Sequence, residues 1–157
     1  MRFTPRAADP VVDSIEPVIR GLGISLVELT VSRHKRREAS PGSTQVRLIV
    51  TKPGIVGMED CSRVHHAILP RLELAFPGED LYVEVSSPGI DRLIKDASEL
   101  VHYRGRGIRF YRTDISDWTG GILLEADTEQ CSLQGKDGVV VLAYSSIAKA
   151  KLDHSLE

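Results

Sequence analysis

The apolar residues of this chain keep changing period up to residue 86 and then settle on one. Between residues 8 and 86 a helical spacing gives way to two alternating runs, returns, and ends in a third alternating run. Alternation puts side chains on the two faces of a strand, whereas returns at three and four residues build one stripe on a helix. Such a chain folds as helix, strand, strand, helix, strand. Its compact solution is an α+β unit, a three-stranded sheet covered on one face by two helices. Past residue 105 the pattern holds only short strand-like runs, at 107–112, 118–126, 130–134, 138–143 and 148–152. Turn residues separate them, among them Gly135 and Asp137-Gly138. Many short strands at close spacing predict a small barrel. Two domains follow, 1–87 and 88–157, with 88–95 as the linker.

Local signals sharpen the outline. Asp9 followed by Pro10 starts a helix, because a capping carboxylate precedes a residue whose missing N–H costs nothing there. Val11, Ile15, Val18, Ile19 and Leu22 form its stripe, Pro17 should kink it or loosen its first turns, and Gly23 stops it. The runs 24–31 and 44–51 read as antiparallel strands joined by the long loop "SRHKRREASPGS". Met58, Cys61, Val64 or His65, Ile68 and Leu72 make the stripe of the second helix, which Pro70 and then Pro77-Gly78 close down. "LYVEV" at 81–85 is the third strand. Asp96 and Glu99 have the spacing of a capping box over a short helix, "ASELVHYR".

The most specific punctuation is "VEVSSPGIDRLI", 83–94. Pro88 forces Ser87 to be extended, and proline followed by glycine predicts a type II turn with Gly89 at positive φ. Ser87, Pro88, Gly89 and Asp91 are therefore read as the domain junction. Neither serine has the flanking glycines of a nucleophile elbow.

Composition excludes several classes. No apolar run approaches the roughly 20 residues of a membrane helix, and "MRFTPRAADP" lacks the apolar core of a signal peptide, so a cytoplasmic protein is expected. Two cysteines, Cys61 and Cys131, make no disulfide scaffold and read as reduced core thiols. Cys61, His65 and His66 are too few for a metal site, and none is expected. No acid, base and nucleophile converge in the sequence, so an enzyme is not expected.

A net charge of −2 argues against coating nucleic acid by bulk electrostatics. The charge is uneven, however. "RHKRRE" at 33–38 is basic and lies between strands, as a phosphate-binding loop would, or as an ordinary solvated hairpin would. Arg109 alternates with Tyr111 on one strand face, a pairing that suits RNA or a protein partner and equally suits a solvated face.

The segment "YVEVSSPGIDRLI" resembles the hallmark EVSSPGLDRPL of the bacterial ribosome maturation factor RimP family. "IEPVIRGLGISLVEL", "VRLIVTKPGIVGMEDCSRVHHAI", "ASELVHYRGRGIRF" and "YSSIAKAKL" are similar to its other segments, in order, across roughly residues 8–152. Leu93, Thr51 and Gly57 depart from the family, which usually has proline, aspartate and a hydroxyl cap at those places. The resemblance implies an α+β N-terminal domain and a C-terminal SH3-like (Sm-like) barrel. It implies a cytoplasmic, non-catalytic assembly chaperone that binds the immature small (30S) ribosomal subunit, with 16S rRNA and the small-subunit protein numbered twelve as partners, the latter through the barrel. No cofactor and no membrane are implied, and a monomer is expected. The rRNA contacts expected are Arg33, Lys35, Arg36, Arg37, Lys52, Arg92, Lys95 and Arg109. The alternative is a protein–protein adaptor built on an Sm-like barrel with no RNA role.

Overall fold

The computed structural model of the chain describes residues 1–34 and 42–157. They divide into two compact units, one of residues 7–88 and one of residues 1–6 with 89–157.

In the first unit, helix α1 (Pro10–Gly21) begins where Asp9 Oδ1 accepts the Val11 N–H at 2.9 Å. It runs through Pro17 and ends in a Schellman motif: the Gly23 N–H donates to Arg20 O at 3.0 Å and the Ile24 N–H to Ile19 O at 3.4 Å. Gly23 takes φ +76°, the left-handed geometry this ending requires. The inner line of α1 is Val12, Ile15 and Ile19, with Val11 and Val18 packed at its margins.

Strands β1 (Ser25–His34) and β2 (Ser43–Thr51) pair antiparallel, with a register shift between Leu26 and Glu28. Helix α2 (Met58–Ala75), which runs on through Pro70 instead of closing there, then carries the chain over to β3 (Asp80–Ser86), which joins β2 in parallel. The sheet order is β1-β2-β3. Val64, Ile68 and Leu72 of α2 and Ile15 and Ile19 of α1 close on Leu26, Val46, Leu48 and Val50, all fully or almost fully buried. Met58, expected in the buried stripe, is 90% exposed. The inner line of α2 starts instead at Asp60, whose Oδ2 accepts the Gly57 N–H at 2.9 Å. The end of the helix is thus capped backwards from its third residue, where the sequence has glycine in place of a hydroxyl.

The second unit contains β4 (Leu93–Ile94), a 3₁₀ turn (Ala97–Tyr103), β5 (Gly107–Arg112), β6 (Asp117–Ala126), β7 (Gln130–Gly135), β8 (Gly138–Ala143) and β9 (Ile147–Leu152). Short 3₁₀ turns at Tyr144–Ser146 and His154–Leu156 flank β9. The sheet order is β4-β9-β5-β6-β7-β8, antiparallel throughout. β4 and β8 are its outer strands, and the order does not close on itself. Ile108, Phe110, Leu123, Leu133, Ala150 and Leu152 share one face of this sheet and are buried, as are Leu100 and Tyr103 of the 3₁₀ turn. Burial pushes the Cys131 thiol up to about 12; Cys61 in the first unit is only half-buried.

Residues 1–6 pack in this second unit rather than with the helices that follow them. The Met1 ammonium donates to Tyr144 O at 2.7 Å and to Ile147 O, the Ala97 N–H to Arg2 O at 2.9 Å, and the Thr4 N–H to Asp96 Oδ1 at 2.9 Å. No apolar periodicity announces such a strap, because backbone groups hold it.

The junction differs from its sequence reading. Gly89 is not among the glycines of positive φ. The turn lies further on: the Arg92 N–H donates to Gly89 O at 3.1 Å, with Ile90 and Asp91 at its centre. The Arg92 carbonyl accepts the Leu152 N–H at 3.0 Å, so pairing beside β9 sets where the chain bends. Glu99 also departs from its expected role. Asp96 caps the 3₁₀ turn through the Ser98 N–H at 2.9 Å, but Glu99 faces Arg92.

Candidate nucleic-acid interface

At the end of β1, the Arg33 guanidinium lies 5.3 Å from the centre of the Phe76 ring and pairs with Glu79. The other Glu79 oxygen accepts the hydroxyl of buried Thr44, and these bonds, Thr44 first, hold the Glu79 carboxyl below its usual range. Cross-strand pairs Arg33↔Thr44 and His34↔Ser43 complete the clamp. It fixes the two strand ends that the basic segment joins. Lys35, Arg36 and Arg37 themselves lie outside the described residues.

The other predicted contacts are scattered. Lys52 Nζ is 2.9 Å from Asp60 Oδ2, and its side chain is 32% exposed. The Gly57 N–H first and Lys52 second keep the Asp60 carboxyl low. Arg92 points both arms of its guanidinium at Glu99 with its side chain only 10% exposed. Lys95 is exposed. Arg109 pairs with Asp153 at 2.6 Å, while its Nε is buried with no hydrogen-bond partner. At the junction, Ser87, Gly89 and Asp91 are exposed and Pro88 is half-buried.

Carboxylates neutralise much of the remaining charge: Arg47 pairs with Glu84, Arg104 with Glu125, Arg106 with Glu157 and Arg112 with Asp114. The lysines of β9 are different. Lys149 and Lys151 make no ion pair among the described residues, and Lys151 Nζ sits 5.5 Å from the centre of the Trp118 ring. Trp118 meets Tyr111 edge to face at 5.4 Å. Sequence reasoning singled out Arg109 and Tyr111 but missed Trp118, Lys149 and Lys151. Their adjacency depends on the register of β9 against β5, strands more than 30 residues apart in sequence. No group of three or more His, Cys, Asp or Glu suited to a metal occurs among the described residues.

Residues 14–91 match the family model of the RimP N-terminal domain. The chain belongs to the RimP family. The match opens inside α1 and closes at Asp91, so it takes in the whole α+β sheet, the Arg33 clamp and the Ser-Ser-Pro-Gly segment. RimP proteins form a family of ribosome maturation factors, and residues 14–91 place this chain among them. Among its described residues no helix is long and apolar enough to cross a membrane.

Proposed function

We propose that this RimP-family chain binds the immature small (30S) ribosomal subunit in the cytoplasm and assists its assembly by binding alone, as a monomer and without a cofactor. The observation that carries the reading is the match of residues 14–91 to the RimP N-terminal domain. The charge distribution supports it. A factor that must leave again needs local basic groups on a surface of low total charge, since high bulk charge makes binding tight and indiscriminate. The net charge here is −2.

The rRNA contacts are Arg33, Lys35, Arg36 and Arg37 on the β1–β2 connection, with Lys95 and Arg109 in the second unit. Lys52 and Arg92 belong to the same expected set, paired with Asp60 and Glu99 as Arg33 and Arg109 are with Glu79 and Asp153. We read the six-stranded sheet as an SH3-like (Sm-like) barrel that meets a small-subunit protein. The register shifts at Leu123/Glu125 and Tyr111/Arg112 support this, because bulges increase the coiling of a sheet. An assembly chaperone needs higher affinity for the immature particle than for the finished one, and that difference lets it leave.

The test is sedimentation of the purified chain with immature and mature small subunits at two salt concentrations. It should travel with immature subunits at low salt and less so at high salt. A chain that stays at the top of the gradient under both conditions is an adaptor with no ribosomal role.

A further inference from the structure

The outer face of β9, β5 and β6 carries a constellation that a bare solvated strand face does not need. Lys149, Tyr111 and Trp118 stand in one cross-strand row, and Lys151, Arg109 and Gly120 in the next. Phe110 and Ala150 project to the opposite side and are fully buried, so the two rows face outward. Beside them lies a cavity of about 710 Å³, lined by Arg109, Trp118, Gly120, Gln134 and Lys136, with Asp137 the one acidic residue on its wall. Gly120 gives that wall no side chain. Trp118 is 37% exposed although it has the largest apolar surface in the chain.

We propose that this face binds a segment of single-stranded RNA, with a base stacked on the Trp118 indole and phosphates held by Lys149 and Lys151. The proposal rests on the reading that the chain acts on ribosomal RNA. An indole stacks on any base, and lysines without carboxylates are the groups free to neutralise phosphate. Arg109 is held in place by Asp153. Gln134, Lys136 and Arg109 supply donors around a cavity large enough for a nucleobase. A docking site for a folded protein would call for an apolar centre. Here the centre is a cation over an aromatic ring.

Trp118 is the only tryptophan, so its fluorescence reports this face alone. Titrating the full chain with hexa-adenylate and hexa-uridylate should quench it. The apparent affinity should fall with salt by about 0.7 in log-log slope per phosphate engaged. Anisotropy of a labelled hexanucleotide should show Trp118→Leu weakening binding by at least about fivefold, the loss typical of one stacked base. Lys149→Ala with Lys151→Ala should lower both affinity and salt slope. All three positions lie on the outward face, and circular dichroism of each variant checks that it is folded. Absence of quenching and of anisotropy change at low salt overturns the site. So does quenching by RNA-free small-subunit proteins without quenching by either hexanucleotide, which assigns the face to a protein. Sedimentation of the same variants with immature subunits separates the two readings. If the wild type sediments with subunits and no hexanucleotide quenches Trp118, only this site is wrong. If the wild type does not sediment, the broader reading fails.

Discussion

Arg92 and Glu99 meet with Nε 3.0 Å from Oε2 and Nη2 3.1 Å from Oε1, both side chains almost out of solvent. The Tyr103 hydroxyl lies 3.5 Å from the same carboxylate, and burial pushes its phenol upward. The pair ties the turn after Pro88 to the 3₁₀ turn at Ala97–Tyr103. Removing one partner strands the other charge. Arg92→Ala should therefore cost about 3 kcal/mol in urea unfolding, and the apolar double variant Arg92→Met with Glu99→Leu should cost clearly less. A loss under about 0.5 kcal/mol for the single variant would mean that the pair is not a structural tie.

Asp96 gives a pH dependence. Burial alone raises its carboxyl, but the bonds from Thr4 and Ser98 outweigh that and bring it to about 2. A carboxyl depressed in the folded state adds stability above its unfolded value, near 3.9, that is lost as pH falls toward 2. The contribution is on the order of 1–2 kcal/mol after allowing for partial exposure. Asp96→Asn should be less stable than wild type at pH 6, and the gap should close between about pH 4 and pH 2. A gap that stays constant across that range would rule out the carboxylate as its source.

Two glycines should respond in opposite ways. A Cβ on Gly89 would meet nothing closer than Asp91 Oδ1 at 3.7 Å, at ordinary φ. Gly89→Ala should change stability by less than about 0.5 kcal/mol, or raise it slightly by restricting the unfolded chain. A Cβ on Gly107 would overlap the Asp153 carbonyl oxygen, a backbone atom. Gly107→Ala should cost about 2 kcal/mol or more, since β5 must move off the segment that follows β9. Thermal melts of both variants decide this.

The basic connection can be separated from its clamp. Lys35, Arg36 and Arg37 replaced together by alanine should weaken subunit binding and flatten its salt dependence, at unchanged melting temperature. By analogy with duplex DNA, each lost phosphate contact takes about 0.9 from the slope. Arg33→Ala should lower stability as well, because it also removes the Phe76 and Glu79 contacts. Equal salt slopes for wild type and the triple variant would return the segment to an ordinary solvated connection.

Much of the architecture was legible because it follows from periodicity. Ile108 and Phe110 alternate with Arg109 and Tyr111, which placed β5 and named its polar face. Asp9-Pro10 and Gly23 marked both ends of α1, since each acts on its own neighbours. What escaped depends on distant partners. Pro88-Gly89 reads locally as a turn, yet pairing of Arg92 with Leu152 moved the bend along the chain. Arg92 has an acidic neighbour in Asp91 and reads as its partner or as an RNA contact, yet the fold sets it against Glu99, seven residues on. Residues 1–6 carry no pattern, because a strap held by carbonyls leaves no trace in side-chain type. Trp118 and Lys151 lie 33 positions apart, and only strand register brings them together.

That strap sets an order of events on the synthesising ribosome. The unit of residues 7–88 is continuous in sequence, so all its strands and helices are available once residue 88 has emerged. The other unit joins residues 1–6 to residues 89–157, on either side of the α+β unit in sequence. Met1 must wait for Tyr144 and Ile147 to be made before its ammonium finds their carbonyls. The α+β unit, with its basic connection, can thus be folded while its companion is still a nascent chain, since domains complete themselves as they emerge. The six-stranded sheet becomes whole only once Leu152 has been made, and Met1, made long before it, is among the last of these residues to find its place.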